Sequence, residues 1–179
     1  MPVPRLDPMP ADRPLTLRSA RTQDVPVIQA LVEPLARERV LLQKEAVAYY
    51  EAIQEFVVAE EADGTLAGFG ALHVMWQDIA EVRTLAVSEA HRGAGVGHLV
   101  IEELLDRARA VGVERVFCLT FEVEFFRRHG FEVMADQSAV DPEVYAELLR
   151  STDEGVAEFL DLARVKPNTL GNTRMIRRL

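Results

Sequence analysis

Apolar positions change period several times along the chain, and each change predicts an element. LTLRSA, residues 15 to 20, alternates and predicts a short strand. RTQDVPVIQALVEPLARE then reads as a helix, with Asp24 as its cap, Pro26 in its first turn and Val27, Ile28, Leu31, Val32 and Leu35 as an apolar stripe. Pro34 is expected to bend or interrupt it, because proline lacks the N–H and crowds the preceding turn. A second helix is expected over KEAVAYYEAI, 44 to 53. EFVVAEE and LAGFGALHVMW read as strands joined through ADGT, where Asp63-Gly64 is a hairpin signal. IAEVRTLAV, 79 to 87, follows after Gln77 and Asp78 alone, which makes an antiparallel meander.

From Gly95 the period becomes helical: Val96, Leu99, Val100, Leu104, Ala108 and Val111 share a face, and Gly112 ends the run. ERVFCLT reads as a strand, EVEFFRRHG as a short helix ended by Gly130, and FEVM as a strand. Strand, helix and strand here occupy about 40 residues, so the strands flanking the long helix should lie parallel. One more helix, DPEVYAELLR, and two strand-like pieces, AEFLDLA and NTRMIRRL, complete the chain. The predicted class is α/β in the α+β sense, a mixed, mostly antiparallel sheet with flanking helices.

Composition narrows the picture further. A chain of 179 residues, 49% apolar and 27% charged, fits one globular domain over 15–179 behind a loose, proline-containing N-terminal tail, 1–14. The formal charge of −9 disfavours nucleic acid and anionic membrane surfaces, so an anionic ligand needs a local basic pocket. Cys118 is the only cysteine, which excludes an intramolecular disulfide and a cysteine-based zinc cluster. It sits in the apolar run RVFCLT and reads as a buried filler, in keeping with a reducing cytoplasm. His73, His91, His98 and His129 lack metal-ligand spacing, and no metal is assigned. No apolar stretch approaches the length that spans a bilayer.

HRGAGVGHLV, 91 to 100, places three glycines at the mouth of the long helix. The dinucleotide fingerprint would need glycine where His98 stands, and a Walker A loop would need a lysine followed by serine or threonine. The run fits Q/R-x-x-G-x-G/A, as Arg92, Gly93, Ala94, Gly95, Val96 and Gly97. Successive backbone N–H groups at a helix start form a nest for phosphate oxygens, and bulky side chains would hold a diphosphate away. The alternative is a turn that only joins strand to helix.

The order of strand, this loop, helix, strand and FFRRHGF resembles the GNAT acetyltransferases over residues 15 to 135. That resemblance implies acetyl-CoA as acetyl donor, its diphosphate on residues 92 to 97, and a splayed central parallel strand pair. Backbone groups of Leu85, Ala86 and Val87 would then meet pantetheine, flanked by Phe125, Phe126 and Arg128; the plain alternative for the phenylalanines is core. Four further stretches, LLQKEAVAYYEAIQEFVVAE, GALHVMWQDIAEVRTLAV, LTFEVEFFRRHGF and GVAEFLDLARVKPNTLGNTRM, resemble the short, kinase-domain-free N-acetylglutamate synthases. The implied reaction is acetyl transfer to the α-amino group of L-glutamate, the entry step of arginine biosynthesis. The resemblance also allows a homodimer. Bifunctional relatives carry a kinase-like, arginine-binding domain for which this chain has no room.

Such a reaction needs a proton acceptor, since an α-amino group near neutral pH is largely protonated. Glu81 matches the acidic position that the resemblance suggests as base, acting through water. Alternation puts Glu81, Arg83 and Leu85 on one face, so Glu81 and Arg83 also fit a structural ion pair. A backbone N–H near Leu85 would stabilise the charge developing on the acetyl oxygen. Thr120 is the candidate for protonating the leaving thiolate or ordering water, against a hydroxyl satisfied by nearby backbone. For the substrate carboxylates the candidates are Lys44, Arg83, Lys166, Asn168, Asn172 and Arg174, each also readable as a surface group. Glutamine stays open as acceptor, as do a polyamine, a protein terminus, or a non-catalytic acyl-CoA-binding role.

Overall fold

The computed structural model describes residues 14–135, 140–160 and 171–179. Seven strands form one sheet: β1 (Thr16–Ser19), β2 (Phe56–Glu60), β3 (Leu66–Trp76), β4 (Ile79–Val87), β5 (Arg115–Thr120), β6 (Glu132–Val133) and β7 (Thr173–Arg178). Among the described residues six α-helices accompany them: α1 (Val25–Arg37), α2 (Ala46–Glu51), α3 (Val96–Val111), α4 (Val123–Arg128), α5 (Pro142–Leu148) and α6 (Glu154–Phe159). The strand order is β1-β2-β3-β4-β5-β7-β6, antiparallel throughout except for the parallel pair β4 and β5. This is the mixed, mostly antiparallel sheet that the pattern predicts, with the parallel pair on either side of the long helix.

Each face of the sheet carries its own core. Val100, Ile101, Leu104, Leu105 and Ala108 of α3 are fully buried against Val57, Ala59, Ala80, Val116, Cys118 and Met175 of the strands. On the other face, Val25, Ile28 and Val32 of α1 and Tyr49 of α2 cover Phe56, Val58, Phe69 and Ala71. Farther along that face, Val156 and Phe159 of α6 and Leu148 of α5 cover Ile79 and Phe117. Burying whole aliphatic side chains at about 1.5–3 kcal/mol each is what holds these helices to the sheet.

The structure corrects five expectations. Asp24 stands at the N-cap of α1, but its side chain makes no capping bond: its carboxylate accepts from Arg18 at 2.7 and 3.0 Å and from the Arg21 N–H at 2.7 Å, closing the turn before the helix. Pro34 does not interrupt α1, which runs on to Arg37; Ala30, the residue whose carbonyl loses its donor, is exposed to water. The second helix covers only Ala46–Glu51, leaving Lys44 just before it. AEFLDLA is not a strand in its described part, because Val156, Ala157, Phe159 and Leu160 are buried at helical spacing in and just after α6. Its last residues, 161–163, lie outside the described residues.

The fifth correction concerns β4. Ala71 faces Arg83 while Phe69 faces Ala86, so three residues of β4 are spanned by two of β3, and Thr84 takes a φ of 55°. This bulge reverses the alternation. Leu85 and Val87 therefore turn toward the α3 core, whereas Glu81 and Arg83 face the opposite side of the sheet.

Candidate active site

The parallel ladder between β4 and β5 runs from Ile79 opposite Arg115 to Val82 opposite Cys118 and then stops. Beyond it, among the described residues, β5 continues only with β7 and β4 only with β3. The split opens into a cavity of about 1000 Å³ whose wall includes Lys44, Glu81, Arg83, Leu85, Thr120 and Asn172. Six residues separated by up to 128 positions in the chain thus converge on one space. Phe125 and Phe126 also line it.

The glycine loop lies beside the same split. Gly93 and Gly95 take φ of 79° and 80°, values that side-chain-bearing residues rarely adopt. The first bond of α3 runs from the Leu99 N–H to the Gly95 carbonyl at 3.2 Å, so the amides of Val96, Gly97 and His98 precede any intrahelical acceptor. A β-carbon on Gly97 would stand 3.2 Å from the Phe125 ring and 3.6 Å from Val87, so the helix start, α4 and the end of β4 meet there. These open amides at a positive helix end fit a coenzyme diphosphate. Ala94 and Arg92 are exposed on this loop, and Arg128 is exposed on α4. Phe126 sits in the α3 core, edge-on to Phe125 at 5.2 Å and to Phe131 at 5.1 Å, while also bordering the cavity.

Glu81 is 7% exposed. Burial pushes its carboxyl above the usual carboxylate range, against the pull of Arg83. The Arg83 Nη2 lies 2.7 Å from Glu81 Oε2, yet that oxygen accepts no aligned hydrogen bond among the described residues. Arg83 instead points its fork at Asp153, with Nη1 and Nη2 each donating over 3.1 Å. Burial works against the Arg83 charge, but Glu81 and Asp153 outweigh it and raise its proton affinity further. Asp153 is likewise opposed by burial and held below the ordinary aspartate value by Arg83. Lys44 is lowered by burial, with Arg83 adding to the effect.

Thr120 is buried and its Oγ1 accepts from the Glu122 N–H at 2.9 Å, which leaves the hydroxyl proton available to donate. Asn172 Oδ1 is buried at the cavity wall without a partner among the described residues. Arg174 is half-buried on β7 opposite Leu119 and is not part of the cavity wall. Lys166 and Asn168 lie outside the described residues. Burial raises the Cys118 thiol well above its ordinary value, so it supplies no thiolate.

Two side chains that the sequence pattern did not place at the site, His73 and Asp153, also lie beside Glu81, and the backbone of Gly155 packs against it. His73 Nδ1 sits 2.7 Å from Glu55 Oε1, and its Nε2 is 3.8 Å from Asp153 Oδ2. Asp153 carried a readable signal as a helix-capping residue in STDEGVAEF, which the strand reading of AEFLDLA hid. The other histidines are partnered as well, His91 with Ser88 and Glu61, and His98 with His129, which reaches Glu102.

Comparison with known proteins places this geometry. The model of the acetyltransferase (GNAT) family matches residues 27–131. An amino-acid acetyltransferase of Mycobacterium tuberculosis is 52% identical over 169 residues, covering 93% of this chain and 96% of the relative. A crystal structure of an M. tuberculosis protein in complex with CoA and NLQ superposes with a TM-score of 0.86 at 52% identity, over 92% of this chain and 99% of that one. N-acetylglutamate synthase from Neisseria gonorrhoeae, complexed with coenzyme A and N-acetyl-glutamate, gives a TM-score of 0.74 at 26% identity; this chain is matched over 94% but covers only 36% of that one.

Proposed function

Because the chain belongs to the acetyltransferase (GNAT) family, we propose that it is an amino-acid N-acetyltransferase that acetylates the α-amino group of L-glutamate, the first step toward arginine. The observation that carries this reading is a buried carboxylate, Glu81, at the wall of a cavity that opens where β4 and β5 part. Acetyl-CoA supplies the acetyl thioester. The amides at the start of α3 hold its diphosphate, and Phe125 walls its arm.

Glu81 takes the proton that the substrate ammonium must lose, directly or through one water. Its raised proton affinity makes it a better match to an amine than an exposed carboxylate would be. Arg83 keeps the carboxylate in place. The bulge at Thr84 re-aims the backbone around Leu85 toward the split, where an N–H stabilises charge developing on the acetyl oxygen. The Thr120 hydroxyl donates toward the departing sulfur or a water beside it. With Cys118 buried as a neutral thiol, direct transfer between the two bound substrates needs no covalent enzyme intermediate.

Lys44 and Asn172 are positioned to meet the carboxylates of glutamate. A second acceptor, glutamine, is favoured by one observation: Arg83 already faces two carboxylates, Glu81 and Asp153, whereas Asn172 Oδ1, an acceptor without a partner among the described residues, suits the N–H of a neutral amide side chain. Free thiol release from acetyl-CoA, followed with glutamate, glutamine, a polyamine and a peptide, tests the reading. Turnover with glutamate is expected, and turnover with glutamine alone selects the second acceptor. Release only with the polyamine or peptide, or coenzyme binding without turnover, overturns both. Glu81→Gln is expected to lower kcat by about 100-fold or more with coenzyme Kd little changed.

A further inference from the structure

Asp153 stands where two elements meet Glu81. It is the cap of α6, its Oδ1 accepting from the Val156 N–H at 3.1 Å, while its own N–H donates to Ser151 Oγ at 3.1 Å. The same carboxylate takes both prongs of the Arg83 fork. Two residues on, α6 packs its backbone directly on the base: a β-carbon on Gly155 would overlap Glu81 Oε2 and stand 2.9 Å from Oε1. Glu81 is therefore confined between Arg83 and α6, and Arg83 is shared with Asp153.

We propose that Asp153 is a positioning residue for acetyl transfer: by drawing the Arg83 fork onto itself, it leaves Glu81 beside a cation without a hydrogen bond from it. Glu81 Oε2 then carries no donated hydrogen bond among the described residues, so the carboxylate can still take up a proton. This assignment rests on Glu81 being the base. A fully engaged Arg83 would hold Glu81 as an inert salt bridge, the outcome that the spacing of the two residues on β4 alone would produce.

The charged groups around Glu81 come from every neighbouring element. Arg83 lies on its own strand, His73 on β3, Lys44 before α2 and Asp153 at the cap of α6. Among these, Asp153 is the negative charge that favours the protonated form of Glu81. Removing that charge lets Arg83 favour the Glu81 carboxylate more strongly, so Glu81 gives up its proton at lower pH. It becomes a weaker base.

The test is the acid limb of kcat/KM for the amino-acid acceptor in the wild type, Asp153→Asn and Glu81→Gln. Asparagine still caps α6, so the fold is retained. The limb in Asp153→Asn should move down by about one pH unit, with a few-fold lower plateau and unchanged coenzyme affinity, effects that loss of a merely structural contact would not produce together. An unmoved or raised limb in Asp153→Asn, with the limb lost in Glu81→Gln, overturns the role of Asp153 and leaves Glu81 as base. A limb that persists in Glu81→Gln removes the base itself and the proposal with it. If Asp153→Asn yields no folded protein, Asp153→Ser, another capping residue that cannot reach the fork, carries the same comparison.

Discussion

Single residues show how far the surroundings redefine a side chain. Glu81 and Arg83 read equally well as a catalytic pair or a structural one in IAEVRTLAV, and the difference lies in Asp153, 70 positions away from Arg83. Asp24 is the converse case, a plausible cap whose carboxylate belongs to Arg18 and the Arg21 amide. Replacing it with alanine should destabilise the fold by about 2 kcal/mol, because Arg18 loses a two-pronged carboxylate partner at a partly buried site and keeps Glu60 and the Ser19 carbonyl. The sign of the pH dependence follows from Arg18 holding the Asp24 carboxyl below its ordinary value. Such a group contributes stability that is present above its unfolded pKa, about 3.9, and is lost as pH falls through the lower folded value. Urea unfolding of both proteins should therefore show a gap near neutral pH that closes in strong acid.

At the level of elements, the loop before α3 and the bulge in β4 do the positioning. Gly95 is the entry residue of α3 at a φ of 80°, and a β-carbon there would meet nothing within 4 Å. Any cost of Gly95→Ala is therefore backbone strain, about 1–2 kcal/mol. If the loop yields to it, KM for acetyl-CoA should rise about tenfold, with kcat at saturation nearly unchanged, as steady-state kinetics would measure. The glycine run was legible from the sequence, because positive-φ positions and bare helix-start amides demand that residue type. The bulge was not legible: Thr84 is neither glycine nor asparagine, and β4 reads as an unbroken alternating strand. The helical nature of α6 was likewise obscured, since so short a segment satisfies strand and helix periods alike until burial distinguishes them.

Over the whole molecule, the last strand is an internal part of the sheet. β7 lies between β5 and β6, pairs with β5 along Arg115 to Thr120, and buries Met175 completely in the α3 core. Removing residues 173–179 takes away those pairings and leaves β6 without its partner. The loss approaches the roughly 5–15 kcal/mol that hold a domain together, so a thermal melt of the truncated chain should show no cooperative transition. The element types other than α6, the meander, the parallel pair and the glycine loop were written in local period and turn chemistry, which act over a few residues. Which cations face which carboxylates was decided only by the fold. The pairing of Arg83 with Asp153, the clearance at Gly155 and the place of Asn172 each depend on segments that meet across the sheet. Contacts between distant segments leave no periodic trace in one chain, and the charge state of a buried group depends on the walls around it.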